Sequence, residues 1–350
     1  MNGLILSQVN NIISPKMMPF VYKILRSKSK VNKFLALEYS TRILMSHENH
    51  PVLLRVLAHS VAIADMAGTL IRNVLKAGEL GVVHKGKDDP QTEADRSAQR
   101  CIMASLLKSF PDLTVIGEEG QLNLNIPEEW IVTTGAQDVL ERKCLPEHSS
   151  IQEKDIVVWV DPLDGTQEFT KGNLDNVTVL IGIAVDGKAI GGVIHQPFFE
   201  NSKGRTIWGL RGIGFSGITL SNRLQNRLVI TTSRSHTDSN VIAAINELQP
   251  DKVLHVGGAG FKVIQLLDGS ANAYVFASPG CKKWDTCAPE AILEIAGGML
   301  TDVFGNKYVY DKDVQYPNSK GVIATAPCLN HTDLINKMSQ EIKSKLMNIS

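Results

Sequence analysis

Ile156-Val157-Val158-Trp159-Val160-Asp161-Pro162-Leu163-Asp164-Gly165-Thr166 opens on five apolar, β-favouring residues and ends in two carboxylates, a proline, a glycine and a hydroxyl. The apolar run reads as a strand, and Pro162 and Gly165 turn the chain where it stops. A strand running into such a turn aims two hard oxygen ligands, Asp161 and Asp164, and the Thr166 hydroxyl at one point. That combination suits magnesium-assisted attack on phosphate.

Working outward, apolar residues recur at helical spacing from Val52 through Leu53, Val56, Leu57, Ala64, Ala67, Leu70, Ile71 and Val74 up to Gly78. A second helix is predicted over Glu93 to Ser109. Short β-rich runs follow at Leu113–Ile116, Ile156–Val160 and Val177–Val185, and Asp186-Gly187 reads as a hairpin turn into Ala189–His195. Antiparallel strands therefore build much of the first half. After Arg205, strand-like runs (Thr206–Leu210, Leu228–Thr232, Val253–Val256, Ala273–Ala277) alternate with helical ones (Asn240–Leu248, Phe261–Asp268, Thr286–Ala296), the pattern of an α/β layer. The polar stretch Gln121–Lys154 is expected to be a surface insertion or lid. The fold class is thus mixed, α+β in the first half and α/β in the second. The expected divisions are 1–49, an N-terminal extension; 50–203, an α+β metal-binding part; and 204–345, an α/β part.

Four acidic groups stand at the ends of apolar runs: Asp95 in Thr92-Glu93-Ala94-Asp95, Glu118 and Glu119 after Gly117, Asp161 with Asp164, and Asp285 after Trp284. Singly, each is an ordinary helix cap or turn former. Jointly, carboxylates concentrated at strand ends repel one another unless cations neutralise them. The donors are oxygens without a His/Cys cluster, which favours Mg²⁺ over zinc. Cys281 and Cys287 near Asp285 read as packing thiols. A phospho-aspartyl route is disfavoured, because it needs its second Asp two residues on rather than three.

Composition excludes other classes. The 350 residues are 43% hydrophobic and carry no net charge, so no global field favours nucleic acid or an anionic membrane. No apolar run reaches the length of a membrane span. Five cysteines without Cys-x-x-Cys spacing fit reduced thiols. Residues 1–49 hold seven basic residues (Lys16, Lys23, Arg26, Lys28, Lys30, Lys33, Arg42) against Glu38 and Glu48. Such a segment is a mobile extension or a mitochondrial presequence. The expected location is cytoplasmic, or mitochondrial if the extension targets.

The ordered set Gly117-Glu118-Glu119, Asp161-Pro162-Leu163-Asp164-Gly165-Thr166 and Trp284-Asp285 resembles the signature of the lithium-sensitive, magnesium-dependent phosphomonoesterases that include inositol monophosphatase and fructose bisphosphatase. Further stretches, Gly204–Gly209, Thr231–His236, Gly257–Gly260 and Pro279–Asp285, resemble the branch of that family directed at nucleotides phosphorylated on both the 3′ and 5′ positions. The likeness covers about residues 52–327 and implies a layered αβαβα sandwich with the site between its halves. It further implies that Glu118, Asp161, the Leu163 carbonyl, Asp164 and Asp285 hold up to three Mg²⁺ ions, with Li⁺ inhibitory. Asp95 and Thr166 would activate water, while Thr166, Ser233, His236, Gly258 and Lys262 contact the substrate. In the residues themselves, the Gly-rich turn before Lys262 offers free backbone amides to a phosphate.

The implied substrate is a small bisphosphorylated nucleotide, adenosine 3′,5′-bisphosphate or its 5′-phosphosulfate relative, with inositol 1,4-bisphosphate as a second. The implied enzyme is a monomer. A phosphatase of inositol phosphates alone is the competing enzyme. A non-catalytic nucleotide sensor is opposed by Asp95 and Thr166, since a sensor needs no water activation.

Overall fold

The computed structural model describes residues 50–86, 89–221, 227–235 and 237–347. Helix α1 (Val52–Ala77) ends where Gly78 takes a left-handed φ of 79° and its amide returns to the Val74 and Leu75 carbonyls. By length and composition α1 could cross a membrane, which the sequence reading did not anticipate. In this fold its apolar residues Leu53, Leu54, Leu57, Ile63 and Ile71 are wholly buried in the first core. Each contributes about 1.5–3 kcal/mol relative to exposure.

A short hairpin, β1 (Val83–Gly86) and β2 (Asp89–Gln91), leads to α2 (Glu93–Ser109). Strands β3 (Thr114–Gly117) and β4 (Ile156–Asp164) come next, and a single helical turn, α3 (Thr166–Thr170), follows the acidic segment. Then come β5 (Thr178–Val185), β6 (Lys188–Gln196), β7 (Arg205–Leu210) and β8 (Gly214–Ser216). These last six strands form one sheet in sequence order, parallel only at the β3–β4 edge. The predicted turn at Asp186-Gly187 is present, with φ of 50° and 69°. Strand β7, which the sequence reading assigned to the second half, and β8, which it did not read as a strand, extend this first sheet.

The second sheet has the order β10 (Lys252–Val256), β9 (Val229–Ser233), β11 (Ala273–Phe276), β13 (Val322–Thr325), β12 (Met299–Thr301). Its first three strands are parallel, joined through α4 (Ser239–Leu248) and α5 (Ala259–Asp268), and α6 (Lys283–Ile295) follows β11. Layers alternate as α1 and α2, first sheet, α5 and α6, second sheet, and α4 with the C-terminal helix, which is the αβαβα sandwich.

Close approach between layers depends on missing side chains. A Cβ at Gly182 of β5 would lie 2.5 Å from Cys287 Cβ, and one at Gly192 of β6 would lie 2.7 Å from Ala288 Cα, so α6 sits directly on the first sheet. On the opposite face, a Cβ at Gly68 of α1 would meet His195 Nε2 at 2.2 Å. His195 is fully buried, with Nδ1 2.8 Å from Thr206 Oγ1. The stretch 121–154 packs on α1: Val139 and Leu140 are buried in the first core, the Ala136 amide donates to the Ala58 carbonyl, and none of its residues lines the central cavity. It is a docked surface insertion and not a lid.

Candidate active site

Strand β4 runs in register with β5 as far as Asp161, then breaks register before Asp164. Proline cannot continue the ladder, and the irregularity at Pro162 leaves both carboxylates facing the same cleft. Asp161 and Asp164 are buried, 2% and 5% exposed. From the other half, Asp285 sits in the first turn of α6, where it accepts the Lys282 amide at 2.6 Å. One carboxylate oxygen from each of these three aspartates lies within 4.8 Å of the others.

Such crowding has an electrostatic signature. Burial, then the neighbouring charges of Glu118, Asp164 and Asp285, push Asp161 well above the usual carboxylate range. Burial raises Asp164 as well, against hydrogen bonds that favour its anion. For Asp285, burial and then Glu118 raise the value to about 7. Three like charges crowded in one pocket are tolerable only when a cation is present or protons neutralise them.

Beside the aspartates sits a hydroxyl–carboxylate pair. Thr92 caps α2, and its amide donates to Asp95 Oδ2 at 2.7 Å. Asp95 Oδ1 lies 2.9 Å from Thr166 Oγ1, which is also 3.0 Å from the Leu163 carbonyl. Burial lifts Asp95 to about 7, a value suited to taking a proton near neutrality.

Glu118 lines the same cavity but is engaged by Lys85 Nζ at 2.9 Å, and that ammonium also reaches Glu119 at 3.1 Å. Glu118 therefore stands next to the three-aspartate cluster rather than within it. Sequence reasoning missed Lys85, because nothing in the β1 sequence announces a partner 33 residues away.

Of the residues expected to contact substrate, Ser233, Gly258 and Lys262 all line the cavity, and His236 lies outside the described residues. Gly258 has a φ of 72°, which a glycine adopts without strain. The Gly-rich turn corrects one expectation in part: two of its amides, those of Ala259 and Gly260, are already engaged and not free for phosphate. The Ala259 amide donates to Asp164 Oδ1 and the Gly260 amide to Asp164 Oδ2, each at 2.8 Å, while Thr178 Oγ1 donates to Oδ2 at 2.6 Å. Asp164 thus latches the start of α5 across the cleft. Lys262, 4% exposed, donates only to the Gly258 carbonyl among the described residues, and burial lowers its ammonium. The cavity, about 360 Å³, is also lined by Tyr274, Phe276, Cys281 and Lys282, none of them proposed as ligands from sequence. Burial pushes the Cys281 thiol up to about 12, consistent with packing.

A family model described as "Inositol monophosphatase family" matches residues 53–343. The chain belongs to the inositol monophosphatase family. Within the family, it is 48% identical over 306 residues to the rat protein named 3′(2′),5′-bisphosphate nucleotidase 1, covering 85% of this chain and 99% of the relative. The Dictyostelium discoideum protein of the same name is 36% identical, with 81% and 96% covered. In fold, the chain is similar to the suhB protein from Bartonella henselae at a TM-score of 0.61 and 22% identity, covering 81% and 98%.

The donor chemistry fits the family's use of metal. Asp161, Asp164 and Asp285 offer clustered oxygen ligands without nitrogen or sulfur, in a site whose charge is unbalanced. This inositol monophosphatase family member is a phosphatase with a cluster of three carboxylates, two of them buried, beside a hydroxyl–carboxylate pair.

Proposed function

We propose that the enzyme removes the 3′-phosphate from adenosine 3′,5′-bisphosphate, giving AMP and phosphate, and accepts the 5′-phosphosulfate analogue and, more weakly, inositol 1,4-bisphosphate. The observation that carries this reading is the convergence of Asp161, Asp164 and Asp285 beside the Asp95–Thr166 pair, in a chain half identical to a bisphosphate nucleotidase.

The proposed metal set is Asp161, the Leu163 carbonyl, Asp164, Asp285 and Glu118, the last after Lys85 releases it, for up to three Mg²⁺ ions. Bound there, these ions supply Lewis-acid activation of water and neutralise the phosphate oxygens. Thr166 Oγ1 orients the attacking water and passes its proton to Asp95 Oδ1, 2.9 Å away. Ser233, His236, Gly258 and Lys262 hold the nucleotide, Lys262 with the two ammonium protons it does not give to Gly258. Li⁺ inhibits by taking one cation position. The enzyme acts as a monomer in the cytoplasm, or in mitochondria if residues 1–49 target it.

Phosphate release from adenosine 3′,5′-bisphosphate, assayed beside inositol 1-phosphate with Mg²⁺ and after chelation, tests this reading. Release from the inositol substrate alone would replace it with a polyol phosphatase.

A further inference from the structure

Two residues away from Thr166, Glu168 crosses between the halves. Its Oε2 lies 2.6 Å from Arg234 Nη1, and Asn176 Nδ2 donates to the same oxygen at 3.2 Å. Arg234 stands between Ser233 and Ser235, both of which line the cavity. It is braced by two more bonds, Nε to the His255 carbonyl at 3.2 Å and its amide to the Val256 carbonyl at 3.1 Å. We propose that Glu168 and Arg234 are a positioning pair that sets the spacing between the water-activating turn and the nucleotide loops, so that turnover of the bisphosphate nucleotide depends on it.

Stability alone does not account for this arrangement. The Glu168 side chain is 1% exposed, and its Oε1 is buried without a hydrogen-bond partner among the described residues. A buried carboxylate with half its acceptors unfilled is a poor stabiliser compared with apolar packing, and its attested use is to fix one arrangement over others. The chain also makes room for it. A Cβ at Gly257 would fall 2.1 Å from Glu168 Cγ and 2.7 Å from Oε1, so residue 257 must be bare for the carboxylate to lie against the nucleotide loop.

Continuity with the chemistry is short on both sides. Glu168 shares the single turn of α3 with Thr166, and Arg234 directly follows Ser233, the last residue of β9. A change in the Glu168–Arg234 separation therefore moves the proton-relaying hydroxyl of Thr166 relative to the sugar whose phosphate it must face. Misplacement on the scale of an ångström costs up to about a hundredfold in rate.

The inference rests on the nucleotidase reading, and the experiment separates the two. Steady-state turnover of adenosine 3′,5′-bisphosphate and calorimetric binding of AMP are measured for wild type, Glu168→Gln, Arg234→Gln and the double variant. AMP lacks the 3′-phosphate and engages only the nucleotide half, so a spacing defect spares its affinity. Expected are a kcat lowered about tenfold in each single variant, an AMP Kd within about threefold of wild type, and a double variant no worse than the singles. Should Glu168→Gln fail to fold, Arg234→Gln, at a side chain 41% exposed, carries the test alone. A kcat within twofold of wild type, AMP affinity lost in step with kcat, or additive losses overturn the pair. A wild type inert on this nucleotide overturns the reading of function and the pair together.

Discussion

Thr166 Oγ1 lies 2.9 Å from Asp95 Oδ1, although 71 positions separate them in the chain. The contact joins the capped start of α2 to the turn after β4, and it holds the hydroxyl at the mouth of the aspartate cluster. Removing the hydroxyl with Thr166→Ala should lower kcat by about 10²-fold or more, while Mg²⁺ still protects the fold against heat. Equal loss of magnesium protection would make Thr166 a ligand instead of a proton carrier.

Asp161 makes the opposite prediction. Asp161→Asn removes one of three crowded charges, so the metal-free variant should melt at or above the metal-free wild type. Wild type should gain several degrees with millimolar Mg²⁺, and the variant should gain little and turn over slowly. Differential scanning with and without chelator reads both arms.

The pH dependence of the metal-free protein follows from the raised carboxylates. Asp285 titrates at about 7 when folded and near 4 when unfolded, because burial and Glu118 disfavour its anion. A raised folded value means that stability is fullest at low pH and declines as pH climbs from about 4 through 7. With chelator, the melting temperature of wild type relative to Asp285→Asn should therefore fall between pH 5.5 and 8. A flat difference would place the aspartate in an open, hydrated setting.

His195 pulls the other way. Burial, and then Arg72, lower its folded value to about 3, so stability is complete above about 6.5 and declines as the medium is acidified toward 3. His195→Asn retains a group able to meet Thr206 and should flatten that acid limb, as pH-jump denaturation would show.

Gly68→Ala should destabilise the protein by about 1–3 kcal/mol, since the new methyl would meet the His195 ring. Part of the loss should return in Gly68→Ala/His195→Ala, which clears that space. Additive losses in the urea midpoints would show that the strain lies elsewhere.

Much of this architecture is written locally. Helix α2 was legible from Glu93 to Ser109 because Thr92 and Asp95 form its cap, and β4 from its apolar run before Pro162. Strand β7 was legible as a strand but not in its sheet, because the sequence reading divided the chain inside the short connection between Gln196 and Arg205, which in fact closes a β6–β7 antiparallel hairpin. The three aspartates could be inferred to converge because each closes an apolar segment. The Glu168–Arg234 and Lys85–Glu118 pairs could not, being 66 and 33 residues apart with no pattern linking them. A glycine-rich turn reads the same whether its amides await a ligand or already hold an aspartate. That ambiguity hid the role of Asp164 in α5.

A carboxylate offers about four lone-pair positions, and Ala259, Gly260 and Thr178 occupy three of those on Asp164. Residue 164 can accordingly give a cation a single oxygen contact and no chelating bite. In the proposed metal set, a second oxygen from one side chain would then have to come from Asp161, Asp285 or Glu118, and exchanging residue 164 for glutamate or asparagine would disturb the seating of a helix as much as any ion beside it.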